Sequence, residues 1–359
     1  MHTSLLLIFT TIYAVSGTNS LSKRASTTPD ATKRIATLPG EAENLAVRPN
    51  GQILVTTSSP APQLFQVDPL GIIAPVLVEV FPGAQGSSGV TELGHDIYYA
   101  ANGNYSITEI GILNHSWSIY EVDMNNFTVL PNGTIIHPPT IRKITLIPEA
   151  ELLNGMTTVP GTNFVLIADS WAGLVWRLDV RSGAITIAAQ GVSFQGVNGT
   201  VASSIGVNGV KIRDCFLYYT NTGLSQVYRI PITSNGTAYG TPELLGSNIV
   251  CDDFIIDDAG VLFVVGQLNV ITRIDTDGTQ TIVAGTFNSS SSALTGPTAL
   301  EFGRLVSDKT SVYVTMDGGA LGPSASAEGL SRVDLGDINQ LGFSATTQGN
   351  WQGYGGEWH

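Results

Sequence analysis

Six segments of this 359-residue chain repeat one pattern, and that repetition constrains the fold more than any other feature. The copies are Leu64-Phe65-Gln66-Val67-Asp68, Ile119-Tyr120-Glu121-Val122-Asp123, Val175-Trp176-Arg177-Leu178-Asp179, Val227-Tyr228-Arg229-Ile230-Pro231, Ile271-Thr272-Arg273-Ile274-Asp275 and Leu330-Ser331-Arg332-Val333-Asp334. Most alternate with period two, as a half-buried strand requires, and turn chemistry such as Asp275-Thr276-Asp277-Gly278 closes several of them. Ahead of the copies runs a second pattern of apolar strand, turn and apolar strand. Leu45-Ala46-Val47, Pro49-Asn50-Gly51 and Ile53-Leu54-Val55 show it, as do Phe254-Ile255-Ile256, Asp257 to Gly260 and Val261 to Val265. Each unit reads as a β-meander. Units of about 45 to 65 residues without helical periodicity between them predict an all-β, six-bladed β-propeller over residues 35–337. A single blade cannot bury both its faces, so the ring is the stable unit. Thr32 to Pro39 resembles the strands that precede later repeats and is expected to supply the outer strand of the last blade, closing the ring.

Composition agrees with this class. The chain combines 40 Gly with 13% charged and 43% hydrophobic residues, which suits many turns around apolar strands and excludes a disordered chain. A formal net charge of −13 argues against a nucleic-acid partner, whose phosphates it would repel.

The first residues read as a targeting segment. Leu5 to Val15 is an apolar run ending at small residues, so residues 1–17 are expected to be a signal peptide rather than a membrane span, and 18–24 a pro-segment ending at the dibasic Lys23-Arg24. Secretion, or residence in the secretory lumen, accords with N-glycosylation sequons at Asn104, Asn114, Asn126, Asn132, Asn198, Asn235 and Asn288. Four of these fall in an insertion of blade two between Ala101 and Leu152, which also holds Trp117 and Tyr120. Cys215 and Cys251 are either one disulfide or two small buried apolar side chains. Residues 338–359, with Trp351, Tyr354 and Trp358, lie beyond the sixth repeat and read as a tail or a strap across one face.

The residue opening the innermost strand of each blade should border the central channel. Aligning the repeats gives Glu43, Ser88, Asn154, Asn208, Asp252 and Thr295, all oxygen-bearing. Oxygen-only donors from several blades suit Ca²⁺ or Mg²⁺ rather than zinc, although such residues also serve as strand starts around a wet channel. The loops after the second strands share one rim, where Trp171 would either floor an apolar ligand site or pack between blades. His95 reads as a general acid or base or as a turn histidine, and Tyr218 and Tyr219 point to opposite faces of one strand, so at most one of them meets a cavity.

The openings Glu43-Asn44-Leu45, Asn154-Gly155-Met156, Asn208-Gly209-Val210 and Asp252-Asp253-Phe254 resemble those of the SMP-30/gluconolactonase family of six-bladed propellers. The resemblance implies Glu43, Asn208 and Asp252 as ligands of a central divalent cation, with Asn154 completing the site. It departs from the family where Glu43 lacks a following Gly-Pro and where Asp253 stands in place of Gly. Together with the signal peptide, the dibasic site and the dense sequons, the chain also looks like the secreted fungal hetero-Diels–Alder cyclases of tropolonic sesquiterpenoid biosynthesis.

That likeness implies coupling of a tropolone quinone methide to a humulene-type alkene without a required cofactor. Glu43, Asp252, Asn208 and Asn154 would act at the reacting oxygens, while Trp171, Tyr219, His95 and Asp253 contact the substrates. The runner-up reading is a cation-dependent lactonase, and a third is a ligand-binding propeller without catalysis. In the two enzymatic readings the partners are small molecules, in the third a ligand or a partner protein, and the sequence does not specify an oligomeric state.

Overall fold

The computed structural model describes residues 32–105, 116–287, 289, 294–319 and 328–335. The expected signal peptide, the pro-segment, the tail 338–359, Asn114 and Asn288 lie outside the described residues. The first described strand is β1 (Thr32–Thr37), and blade one follows it as β2 (Glu41–Val47), β3 (Ile53–Ser59), β4 (Gln63–Val67) and β5 (Val76–Val80). Blade two is built from β6 (Gly86–Glu92), β7 (Ile97–Gly103), β8 (Ser118–Asp123) and β11 (Thr140–Leu146), with a small hairpin of β9 (Thr128–Val129) and β10 (Ile135–His137) before its outer strand. Blade three holds β12 (Leu153–Thr158), β13 (Phe164–Asp169), β14 (Leu174–Asp179) and β15 (Ile185–Gln190). Blade four holds β16 (Val207–Arg213), β17 (Phe216–Asn221), β18 (Gln226–Pro231) and β19 (Glu243–Ser247). Blade five holds β20 (Phe254–Ile256), β21 (Leu262–Gly266), β22 (Val270–Ile274) and β23 (Gln280–Gly285). The last blade consists of β24 (Pro297–Phe302), β25 (Ser311–Met316) and β26 (Gly329–Asp334), completed by β1.

Each of the six repeated segments is the third strand of its blade, namely β4, β8, β14, β18, β22 and β26. The ring closes as expected from Thr32 to Pro39, because β1 pairs antiparallel with β26 in the register Thr32 to Val333 through Thr37 to Gly329. The inner strands β2, β6, β12, β16, β20 and β24 touch in sequence around the axis, β24 returning to β2.

The core lies between blades rather than within them. Along β7, Tyr98 and Ala100 pack against Leu54 and Leu64 of blade one, while Tyr99 and Ala101 pack against Met156 and Ile167 of blade three. Successive side chains of a strand face opposite sides, so each blade contributes one face to each neighbour. Trp117 and Tyr120, which the sequence places in the blade-two insertion, belong to these buried contacts. In the turns that follow the inner strands of the first two blades, at the end away from their starts, a buried Arg48 forms an ion pair with Asp96 at 2.6 Å and also donates to the Met124 carbonyl at 3.0 Å.

A backbone irregularity recurs at the channel. In blades one, two, three, four and six the inner strand slips register by one residue against the second strand, two inner residues standing opposite one, at Glu43-Asn44, Ser88-Gly89, Asn154-Gly155, Asn208-Gly209 and Thr298-Ala299. In blade five, Asp252 and Asp253 share one partner, since Asp252 N donates to the Val265 carbonyl at 2.7 Å and Val265 N to the Asp253 carbonyl at 3.0 Å. Such bulges re-aim a side chain. Superposing this feature from blade to blade makes Thr298 the blade-six counterpart of Glu43, which corrects the expectation of Thr295 by three positions.

Candidate active site

Hydroxyls of the second strands hold the bulged residues in place. Thr56 accepts from Asn44 N at 3.1 Å within its own blade and donates to the Ser88 carbonyl of the next blade at 2.6 Å. Thr220 likewise accepts from Gly209 N at 2.8 Å and donates to the Asp252 carbonyl. Thr315 accepts from Ala299 N at 3.0 Å and donates to the Glu43 carbonyl at 3.3 Å. The backbones of Ser88, Asp252 and Glu43 are therefore fixed by the blade before each of them, so the ring geometry is a property of the assembled propeller.

The glycines in these bulges let neighbouring blades approach. A Cβ on Gly155 would lie 2.7 Å from the Asn208 carbonyl oxygen, and one on Gly209 would lie 2.3 Å from Asp253 Oδ1. Where Gly is absent, at Asn44 and Asp253, the two side chains bond to each other, with Asn44 Nδ2 donating to Asp253 Oδ2 at 3.2 Å. Asp253 also meets Lys211 Nζ at 3.4 Å, and Lys211 reaches Glu301 at the same distance. Burial alone would lower the Lys211 pKa, but these two carboxylates outweigh it and the pKa is raised. Asp253 is thus a buried partner in an ion-pair chain joining blades four, five and six.

At the same end of the channel as the bulges, further carboxylates converge around Glu43. Burial comes first among the causes that hold Glu43 well above the usual carboxylate range, followed by the charges of Asp252, Asp317, Glu41 and Asp253. Burial also raises Asp252, reinforced by Asp317 and Asp253, while hydrogen bonds from Asn208 and Gln267 pull the other way. Asn208 Nδ2 lies 2.7 Å from Asp252 Oδ1, and Gln267 Nε2 donates to Asp317 Oδ2 at 3.0 Å. Like charges brought together in a confined site disfavour simultaneous ionisation, so this cluster holds protons more tightly than free carboxyls do and places acid and base groups side by side. Tyr105 joins the group: burial and the Glu43 charge hold its phenol well above the ordinary range. Its ring stacks on Trp117 with centroids 5.3 Å apart.

The other expected residues distribute as follows. Asn154 stands in its bulge and donates to Ser170 Oγ at 3.3 Å. Trp171 lies on the rim after β13, half-buried, packed beside the blade-two and blade-three core, and its Nε1 has no hydrogen-bond partner. Tyr219 does not face the channel. It is fully buried between blades three and four, stacked on Phe194 with centroids 4.2 Å apart and bonded to Ser193 Oγ at 2.7 Å. His95 is an exposed turn residue following β6, at the far end of that strand from Ser88. Cys215 is exposed and Cys251 buried, and both thiols are free, so the disulfide reading is set aside.

Sequence reasoning passes over Tyr105, and it places Gln267 and Asp317 in the rim loops after second strands without giving either a role. The last two immediately follow second strands, β21 and β25, and a polar residue at that offset is the signal that could have found them.

The donor set does not match a divalent cation. Among the described residues no group of three or more His, Cys, Asp or Glu side chains is placed to hold a metal ion. The amide N–H groups of Asn208 and Gln267, rather than their oxygens, face the Asp252 carboxylate. As arranged, these side chains do not present a ligand set, and no chemical step is derived through a metal.

No protein-family model matches the chain. A protein of Phoma sp. named "Putative hetero-Diels-Alderase" is 30% identical over 300 residues, spanning 76% of this chain and 82% of the relative. Another of that name, asR5 of Sarocladium schorii, is 26% identical and covers 76% of this chain and 74% of its own length. Among solved structures, the calcium-binding regucalcin of Agrobacterium tumefaciens superposes with a TM-score of 0.56 at 14% identity, covering 85% of this chain and 93% of that one. A luciferin-regenerating enzyme superposes with a TM-score of 0.58 at 13% identity, covering 85% and 95% respectively. At that identity the solved structures establish the six-bladed, SMP-30-like propeller architecture and nothing more. The sequence relatives go further: this chain is an enzyme of the hetero-Diels–Alderase family.

Proposed function

We propose that the enzyme couples a tropolone quinone methide to a humulene-type sesquiterpene at the carboxylate end of its channel. The observation that carries this reading is the pairing of Glu43 with Asp252, two half-buried carboxyls in different hydrogen-bonding environments. Burial and neighbouring charges raise both carboxyls, but only Asp252 also accepts amide N–H groups, which favour its anion, so Glu43 is assigned the acid role and Asp252 the base role. In a tropolone that carries a hydroxymethyl group beside a ring hydroxyl, Glu43 gives its proton to the alcohol oxygen, the C–O bond breaks and water leaves. Asp252 takes the ring-hydroxyl proton. The electron pair left on that oxygen moves through the ring to the exocyclic carbon, giving a neutral O=C–C=CH₂ unit.

The alkene then adds across that unit, forming one C–C and one C–O bond with no change in overall oxidation state and no further proton transfer. This step needs no acid or base. The protein contributes proximity and a fixed face of approach, with Trp171 at the rim beside the apolar partner. Acid–base assistance of the dehydration is worth about 10²–10⁴ in rate. No cation takes part in these steps, so a chelator should leave the rate unchanged. Loss of activity with chelator and its return with Ca²⁺ would instead favour the cation-dependent lactonase reading. The decisive measurement is coupling of a tropolone alcohol to humulenol by the purified protein, and a product ratio and rate equal to the buffer control would sink the proposal.

Entry into the secretory pathway and N-glycosylation belong to the same proposal. Four of the sequon asparagines, Asn126, Asn132, Asn198 and Asn235, are exposed and accessible to a glycosyl group. A mobility shift of the natively produced protein on treatment with an endoglycosidase tests this. No helix among the described residues is long and apolar enough to cross a membrane.

A further inference from the structure

Buried polar atoms are nearly always hydrogen-bonded, so those that are not call for a partner the protein itself does not provide. Among the described residues six buried side-chain atoms lack one, and four of these sit at one end of the channel in four different blades: Ser88 Oγ, Trp171 Nε1, Asn208 Oδ1 and Gln267 Oε1. Ser88 and Asn208 are 2% and 3% exposed, so bulk water does not meet their need. Ser88 and Asn208 occupy the bulge positions, and Gln267 touches Asp252 and Asp317 of the carboxylate cluster. The Asn208 amide is held by two donated bonds, to Thr222 Oγ1 at 2.9 Å and Asp252 Oδ1 at 2.7 Å, which fixes its oxygen as the free end.

The chemistry of the set is specific. Two amide oxygens accept only, an indole N–H donates only, and a hydroxyl does either. A hydrocarbon chain leaves all four unmet, whereas a ring with adjacent hydroxyl and carbonyl groups supplies donors and acceptors together.

We infer that Ser88 Oγ, Asn208 Oδ1 and Gln267 Oε1 form a subsite that binds the oxygenated ring of the substrate through its hydroxyl groups, leaving the apolar partner to approach from the Trp171 side of the rim. The inference rests on the proposed coupling for the identity of the ring, but its test does not need turnover. Tropolone alone, and its O-methyl ether as the control without the hydroxyl donor, are titrated into the protein by calorimetry. Wild type should bind tropolone more tightly than the ether.

Ser88→Ala removes an unpaired atom and no bond, so the variant should melt at the same or a higher temperature than wild type, yet bind tropolone about three- to tenfold more weakly. A residue of purely structural value would lower the melting temperature instead. Gln267→Met serves as a second variant with the same expected loss of affinity. Wild-type affinity for tropolone in both folded variants, or equal affinity of wild type for tropolone and its ether, overturns the subsite even if coupling activity is found. Weakened binding by the variants without any coupling would uphold the subsite and overturn the reaction.

Discussion

Asn208 donates one amide hydrogen to Asp252 Oδ1 at 2.7 Å and the other to Thr222 Oγ1 at 2.9 Å, so a side chain of blade four steers the protonation of a carboxyl in blade five. Burial and like charges raise both carboxyls, and at Asp252 this amide bond opposes the rise. Asn208→Ala removes the donor and leaves burial and the neighbouring charges unopposed, raising the proton affinity of Asp252 further. The acid limb of the coupling rate should move to higher pH, and at any pH below that limb the rate should fall about tenfold for every pH unit the limb moves. A pH–rate profile that keeps its wild-type limb would remove Asp252 from the role of base.

Glu43 supplies the converse prediction. Its folded pKa lies well above the ordinary carboxyl value, so between that ordinary value, about 4.3, and the folded one the native state binds more protons than the unfolded chain. With this sign, stability is greatest at acid pH and declines as pH rises through the window, levelling off above the folded pKa. Glu43→Gln removes the titration and relieves repulsion with Asp252 and Asp317, so its melting temperature should exceed that of wild type at about pH 8 and match it more closely at about pH 5. Coupling should meanwhile fall by about 10²–10⁴. Melting curves of the two proteins that run parallel across the range would show that Glu43 is not a buried charge.

How much of this is legible in the sequence follows from what each feature leaves behind in it. The third strands announce themselves because an alternating strand closed by Asp or Pro recurs, and Thr32 to Pro39 can be matched to the outer position by its likeness to later strands. Bulges are backbone events without a fixed sequence mark, which is why aligning the repeats by residue type points to Thr295 where Thr298 stands. Tyr219 illustrates a second limit. Alternation gives the face of a strand, but in a propeller both faces of an inner blade strand are covered by neighbouring blades, and only the strand starts meet the channel. Gln267 and Asp317 share an offset after the second strand, but the rim segments they open are of unequal length, so the repeat does not show that they converge with Glu43 and Asp252.

The glycines next to the ring residues make a steric prediction. Gly209 packs so closely on blade five that an added Cβ would sit 2.3 Å from Asp253 Oδ1 and 2.9 Å from Asp253 Cα. The backbone contact cannot be relieved by rotating a side chain. Gly209→Ala should therefore separate the two blades locally, at a cost of about 1–3 kcal/mol, and disturb the Asp253–Lys211 ion pair below the site. Gly161→Ala is the matched control, since nothing lies within 4 Å of its Cβ position and only its positive φ of 71° opposes the change. Chemical denaturation of both variants checks this: Gly209 is not among the glycines of positive φ, so a loss no larger than that of Gly161→Ala would show that the blades accommodate the added methyl.

The two cysteines differ in a way that labelling can read. Cys251 is buried beneath the ring, its sulfur 3.3 Å from the Asn221 carbonyl oxygen, and burial together with the Asp252 charge pushes its thiol pKa up to about 12. Thiolate is the reactive form, so this residue should resist alkylation while the propeller is folded. Cys215 sits exposed in the turn between β16 and β17 and should react readily. Treating native protein with an alkylating reagent should add one label, at Cys215, with a second appearing only on unfolding, and reductant should leave the melting temperature unchanged. Two slow, equal labels in native protein would mean that blades four and five open at the ring often enough to expose Cys251. In that case the carboxylate cluster, which depends on the same junction through Asn208 and Asp252, could not hold its protons more tightly than ordinary carboxyls do.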